Sequence, residues 1–216
     1  ARIPEHVKIV DIGGDHRHAD GWTYGLADVW PDRVRGSTRV ANPGCFPVAT
    51  LNTLAPLLAA KLIRPDNIVI DAKTGLSGAG RGGGDSRFGF AETNENLQPY
   101  GLLRHVHMPE METTIGQLAG GSAAGLVFTP HLVPMTRGLL VTIYCRGRAT
   151  TAQCLDAARS FYADRPFVRV TDRPPQTKWA SGSNLSFVSY AADPDRELVI
   201  AMGVVDNLGK GAAGHA

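Results

Sequence analysis

The residues NLSFVSYAADPDRELVIAMGVVD (Asn184–Asp206) read as two strands and a turn. Apolar and alternating runs flank Asp193-Pro194-Asp195, whose residue types favour a chain reversal. Upstream, LVFTP (Leu126–Pro130) and GLLVTIYCR (Gly138–Arg146) show the same β-branched enrichment, so the chain from Gly125 onward is mainly β. One helix interrupts it, from Thr151 to about Ala163, with Ala152, Leu155, Ala158, Arg159 and Tyr162 on an amphipathic face. Nearer the start, VKIVDI (Val7–Ile12) reads as a buried strand running into the loop GGDHRH. Leu51, Leu54, Leu57, Leu58 and Leu62 recur at helical spacing and predict a helix from about Pro47 to Leu62. Pro47 suits a first turn, whereas Pro56 is expected to kink or split the helix. Asn67–Asp71 reads as a short strand before the glycine-rich TGLSGAGRGGG. Strands mixed with a few helices, without regular βαβ alternation, predict an α+β fold with a mixed, largely antiparallel sheet.

Composition narrows the function classes. Lys and Arg number 22 against 20 Asp and Glu, a net charge of +2 over 216 residues, too balanced for a non-specific polyanion binder, so no nucleic-acid partner is expected. At 43% apolar residues the chain can bury a core. It has no uninterrupted apolar run long enough to span a membrane and opens on no charged-then-apolar leader, so a cytoplasmic location is expected. Three cysteines, odd in number and widely spaced, suit a reducing compartment.

Cys45 is the sharpest chemical feature. It lies between the turn Asn42-Pro43-Gly44 and a helix start, where free N–H groups and the helix dipole favour a thiolate. Cys145 and Cys154, on a strand and a helix face, read as structural. His105-Val106-His107-Met108-Pro109-Glu110 is the second cluster: on an extended segment both rings point one way, and a carboxylate can orient one of them. A zinc site of His105, His107 and Glu110 competes with an acid–base reading, but no further His/Cys pair sits at ligand spacing, and no metal is expected. His16 and His18 read as solvated loop residues. Gly78-Ala79-Gly80-Arg81-Gly82-Gly83 matches GxGxxG formally, yet GDSRFGF follows where an apolar helix is needed, so the dinucleotide fingerprint fails on context. Arg137, in PMTRG, is a candidate fork for a carboxylate or phosphate. Asn207 and Lys210 in the terminal DNLGKGAAGHA are uninformative alone.

Taken in order, VKIVDIGGDHR, WTYGL, NPGCFPVA, TGLSGAGR, the HVHMPE block, FTPHLVPMTRG, GSN and VVDNLGKGAAG resemble the N-acetyl-γ-glutamyl-phosphate reductase family of the semialdehyde dehydrogenase group. The resemblance implies the tail of a Rossmann-type dinucleotide-binding domain at 1–40, a catalytic substrate-binding and dimerisation domain at 41–205, and at 206–216 the start of a helix returning to the nucleotide domain. His215 stands where the family usually has Gln. The implied reaction is NADPH-dependent reduction of an acyl phosphate to an aldehyde through a cysteine thioester, in arginine biosynthesis. It assigns Cys45 as nucleophile and His105 as acid–base, His107, Glu110, Arg137 and Tyr100 to the substrate side, and Gly75, Ser77, Gly78 and Asn207 to NADP(H). A homodimer or homotetramer is implied. The same chemistry on a carrier-bound aminoadipyl phosphate and a non-catalytic oligomerisation module are the rival readings.

Overall fold

The computed structural model describes residues 3–4, 6–79 and 89–216; most of the GxGxxG-like stretch, from Gly80 on, lies outside the described residues. The leading segment contributes β1 (Ile9–Asp11), β2 (Thr23–Tyr24), α1 (Pro31–Arg35) and β3 (Arg39–Ala41), the three strands forming a parallel sheet in the order β1-β3-β2. There follow α2 (Cys45–Ala59), β4 (Val69–Thr74), a 3₁₀ turn Leu76–Ala79, α3 (Phe90–Thr93), β5 (Gln98–Pro99), α4 (Met108–Ala119), β6 (Val127–Leu132) and β7 (Leu139–Arg146). The chain closes with α5 (Thr151–Phe161), β8 (Val168–Val170), α6 (Thr177–Ala180), β9 (Ser186–Asp193), β10 (Leu198–Val205) and a turn of π-helix, Gly209–Ala213.

A seven-stranded sheet, order β5-β6-β4-β7-β10-β9-β8, carries the fold. β4 runs parallel to β6 and β8 to β9, and the other pairings are antiparallel. The class is therefore the expected α+β. The DPD turn does join two antiparallel strands, with Leu198 opposite Asp193 and Val205 opposite Ser186. β4 runs three residues past the expected Asp71 because Lys73 and Thr74 pair with strands on both sides. Tertiary pairing there overrides local propensity.

The sheet has one closed face. Ile70, Ala72, Val141, Ile143, Cys145, Val199 and Ala201 point into the core, where α2 and α5 pack. Helix α2 is buried from Phe46 through Leu58, as a helix apolar on every side must be. Pro56 does not split it, the second of the two outcomes expected there. Its missing N–H would have served the carbonyl of Asn52, four residues back, and the Tyr162 hydroxyl donates to that carbonyl instead at 2.7 Å. The Tyr190 hydroxyl donates to the next carbonyl, of Thr53, at 2.9 Å. Two tyrosines, one just past the end of α5 and one in β9, thus stand in where the proline weakens the ladder. Helix α5 starts on a capping box, the Thr150 hydroxyl and Gln153 side chain satisfying each other's backbone N–H groups.

Helix α4 was not expected. HVHMPE reads as extended, yet its last three residues open a helix with Pro109 in its first turn, Glu110 favouring the positive end, and Gly120 ending it at φ 71°. It packs beside α2 and brings the histidine pair to the start of that helix. On the opposite face of the sheet Val69, Val127 and Tyr144 remain exposed.

Candidate functional site

Gly44 caps α2 and Cys45 is its first residue. The turn before it is held from two sides. The Gly44 N–H donates to Glu110 Oε1 at 3.0 Å, and the His107 ring packs on the Gly44 Cα so closely that a Cβ there would overlap His107 Nε2. Only glycine fits that gap. On the other side Gly211, in the C-terminal turn, lies so close that a Cβ would come within 2.9 Å of the Cys45 Cβ.

Crowding reverses one expectation. Cys45 is half-buried, and burial pushes its thiol up to about 11, aided by the negative charge of Glu110 and opposed by the N–H groups of Phe46 and Cys45 and by Arg17. The helix N-terminus acts as the sequence suggests, but desolvation outweighs it. Cys145 and Cys154 are structural, as expected. Both are buried, and their thiols are pushed to about 12 and about 11 by burial.

His105 and His107 do converge, with ring centroids 4.9 Å apart, although a turn and not a strand presents them. The His105 ring is boxed by Phe46 (5.7 Å), Phe128 (5.1 Å) and Tyr100 (5.5 Å). Its Nδ1 accepts the His107 N–H at 3.2 Å, which leaves the proton of the neutral ring on Nε2. Burial holds His105 below its ordinary value, and lowers His107 to about 3 with help from His105 and Arg17. Both rings are neutral near pH 7. His107 Nδ1 is buried without a partner among the described residues. Tyr100, just after β5, closes the box, its hydroxyl raised above the ordinary phenol value by burial and by the nearness of Cys45.

Glu110 does not orient a histidine. Its carboxylate accepts from the Gly44 N–H, the Tyr24 hydroxyl at 2.7 Å and the Arg17 guanidinium at 2.8 Å. Burial still holds it above the ordinary carboxylate range. A carboxylate so engaged also weakens the zinc reading that needed it as third ligand. Sequence reasoning missed Arg17 and Tyr24. Arg17 lies 93 residues from Glu110, and nothing in GGDHRH marks it as an internal partner. In the same loop His16 is not free either: it pairs with Asp11 at 2.7 Å and stacks on Trp22. His18 is exposed, as expected.

The second group, Gly75, Ser77, Gly78 and Asn207, forms one compact cluster. Gly75, Leu76 and Ser77 donate their N–H groups to Gly138, Met135 and Thr136 of the β6–β7 loop, and the Ser77 hydroxyl donates to the Thr136 carbonyl at 2.6 Å. Asn207 clamps both segments, accepting from the Gly138 N–H at 2.8 Å and donating to Ser77 Oγ at 2.9 Å. Arg137 rides on that loop, exposed to solvent. From Asn207 the chain passes into the turn that carries Gly211 to Cys45, so the two clusters share one strap.

Comparison with known proteins agrees with this architecture. Residues 45–207 match the semialdehyde dehydrogenase dimerisation-domain family. A protein of Bradyrhizobium sp. (strain ORS 278) named N-acetyl-gamma-glutamyl-phosphate reductase is 80% identical over the whole of this chain. A second protein of that name, from Desulforudis audaxviator, is 43% identical over 97% of it. The chain spans 66% of the length of each. Among solved structures, aspartate semialdehyde dehydrogenase II of Vibrio cholerae, complexed with ASA, superposes with a TM-score of 0.74 over 95% of this chain and 69% of that one. At 19% identity that likeness speaks to the fold. With most of its length inside the matched region, the chain belongs to the semialdehyde dehydrogenase family and carries the family's dimerisation domain.

Proposed function

We propose that this chain is the catalytic and dimerisation part of an enzyme that reduces N-acetyl-γ-glutamyl phosphate to the 5-semialdehyde and phosphate with NADPH, a step of arginine biosynthesis. The observation that carries the reading is Cys45 at the first position of α2, with the Nε2–H tautomer of His105 packed on the adjoining Phe46, in a chain 80% identical to a protein of that name. The Cys45 sulfur attacks the acyl carbon, a C–S bond forms, the bond from that carbon to the bridging phosphate oxygen breaks, and phosphate leaves carrying the thiol proton. Cys45 and Phe46 N–H groups already face the sulfur and are the nearest donors for the developing oxyanion. NADPH, when bound, supplies a hydride that reduces the thioester. His105 Nε2 donates its proton to the alkoxide oxygen, giving the thiohemiacetal, and takes the hydroxyl proton back as the C–S bond breaks, the aldehyde departs and the released sulfur is reprotonated from solvent.

Gly75, Ser77, Gly78 and Asn207 would hold the nicotinamide end of the cofactor. Their fit is that of a rigid wall, because the polar atoms of Ser77 and Asn207 already have partners inside the cluster. Arg137, exposed on the adjoining loop, is a cation for the substrate carboxylate or phosphate. His107 and Glu110 act through Gly44, and Tyr100 borders the substrate side. Residues 1–40 read as the tail of the nucleotide domain, their short parallel sheet being of the kind such domains use. The exposed apolar face at Val69, Val127 and Tyr144 is the surface for a second copy, as the family's name for the domain implies.

The test is phosphate-dependent NADP⁺ reduction with N-acetylglutamate semialdehyde, measured with the chain grafted in place of the matching region of its Bradyrhizobium relative. Activity in the parent that disappears in Cys45→Ser is the expected result. An active Cys45→Ser variant would overturn the assignment of the nucleophile.

A further inference from the structure

Away from the reacting groups, the structure buries an ion pair that the mechanism does not use. Lys210 Nζ lies 2.7 Å from Asp28 Oδ2, with both side chains almost wholly buried (5% and 7% exposed). Asn52 Nδ2 donates to the same oxygen at 2.9 Å, His215 Nδ1 stands 4.0 Å from it, and the Arg165 Nε donates to the Asp28 carbonyl at 3.1 Å. Among the described residues, Asn52 Oδ1 and His215 Nδ1 are buried without hydrogen-bond partners, so the cluster holds more polar capacity than its own contacts satisfy.

A buried pair of this kind is poor evidence for stability, since an apolar pair of similar volume commonly serves the fold as well. Its place in the molecule suggests another role. Asn52 lies seven residues after Cys45 on α2 and therefore on the same face of the helix. The C-terminal turn Gly209–Ala213 covers that face, with Lys210 bound to Asp28 beside Asn52 and Gly211 against Cys45. The Asn42 side-chain amide donates to the Ala212 carbonyl at 3.1 Å, tying the same turn to the segment just before the cysteine. Gly211 has no space to yield: a Cβ would meet the Cys45 Cβ at 2.9 Å and the Asp206 carbonyl oxygen at 3.0 Å.

We propose that Asp28 and Lys210 are positioning residues for Cys45, their ion pair pinning the C-terminal turn to α2 so that Gly211 is pressed against the nucleophile and sets how much water reaches it. The proposal rests on Cys45 being the nucleophile, and it is read without turnover, so that its failure and the failure of the enzymatic reading are distinguishable.

The experiment measures the rate and pH profile of Cys45 alkylation by iodoacetamide in the 216-residue chain, located by peptide mapping, with thermal unfolding in parallel. Asp28→Asn with Lys210→Met removes both charges at nearly constant volume, and the new amide faces the unpartnered Asn52 Oδ1 and His215 Nδ1. With the pin gone the turn lifts, and Cys45 is expected to react about tenfold faster near neutral pH, the fold-change that a fall of one unit in its pKa gives. Gly211→Ala opens the same contact directly, with a rise of about threefold or more, and adds little in the Asp28→Asn/Lys210→Met background. An unchanged rate and profile in a folded double variant, or strictly additive effects, would overturn the proposal. Should the double variant fail to fold, Gly211→Ala decides alone, an unchanged rate again being the overturning result.

Discussion

The cluster around Cys45 and the cluster around Asn207 are both assembled from distant segments, yet their polar groups are in opposite conditions. Around Asn207 the side chains and backbone are neutral and matched, donor to acceptor, across two loops. Around Cys45 a carboxylate and a guanidinium are buried together, two imidazoles are kept neutral by burial, one of them has an unpartnered nitrogen, and the thiol is held well above its ordinary value. A satisfied network rigidifies, while an unsatisfied one stores the capacity to react. That difference is what the proposed roles ask for, a wall at Asn207 and a reacting centre at Cys45.

Removing Glu110 is the severest way to test that contrast. Glu110→Ala leaves Arg17 largely buried without its counter-charge and orphans the Gly44 N–H and the Tyr24 hydroxyl. Breaking a buried pair from one side costs about 3–5 kcal/mol, a large part of a domain's stability. Urea unfolding checks it, and a loss below about 1 kcal/mol would show the cluster to be less tightly coupled than its geometry implies.

Acid offers a second contrast, because burial holds His107 of the Cys45 cluster, and His215 beside Asp28, well below the ordinary imidazole value. His107 falls from 6.5 to about 3 in the folded chain, and His215 to about 4, burial being the first cause in each case. Between these values and 6.5 the unfolded chain binds more protons than the folded one, so stability is present above pH 6.5 and is lost as pH falls toward the folded values. The slope is about 1.4 kcal/mol per pH unit for each such histidine. Stability measured from pH 7 to pH 5 is expected to fall along that slope, more shallowly in His107→Gln. An identical slope in the variant would remove His107 from the acid-sensitive set.

What could be read from the sequence follows the same division. The strands around the DPD turn and the leucine-spaced helix are local patterns; the strands formed where they were expected, and the helix spans Cys45–Ala59 where about 47–62 was expected. NPGC placed the cysteine at a helix start for the same reason. The sign of its pKa was not legible, because the desolvation comes partly from Gly211, far along the chain. Glu110 was misassigned to a histidine because its true partners, Arg17 and Tyr24, are 93 and 86 residues away. Helix α4 carries ordinary helix-boundary signals in Pro109, Glu110 and Gly120, but the His-x-His spacing just before it equally suits an extended segment. Pro56 misled because its rescue lies in Tyr162 on another helix end.

The wall yields smaller effects, and they can be ranked within it. Asn207→Ala orphans the buried Gly138 N–H, an expected loss of about 1–3 kcal/mol. Ser77→Ala is expected to cost less, about 0.5–1 kcal/mol. Ser77 is only half-buried, so water can replace its hydroxyl toward the Thr136 carbonyl and the Asn207 amide, whereas nothing reaches the buried Gly138 N–H. Neither change touches a charge, so neither is expected to alter the acid slope set by His107. Chemical denaturation at pH 7 and pH 5 reads both quantities at once. If Ser77→Ala proved as costly as Asn207→Ala and also changed the acid slope, the two clusters would be one coupled unit, and the distinction between wall and reacting centre would have to be given up.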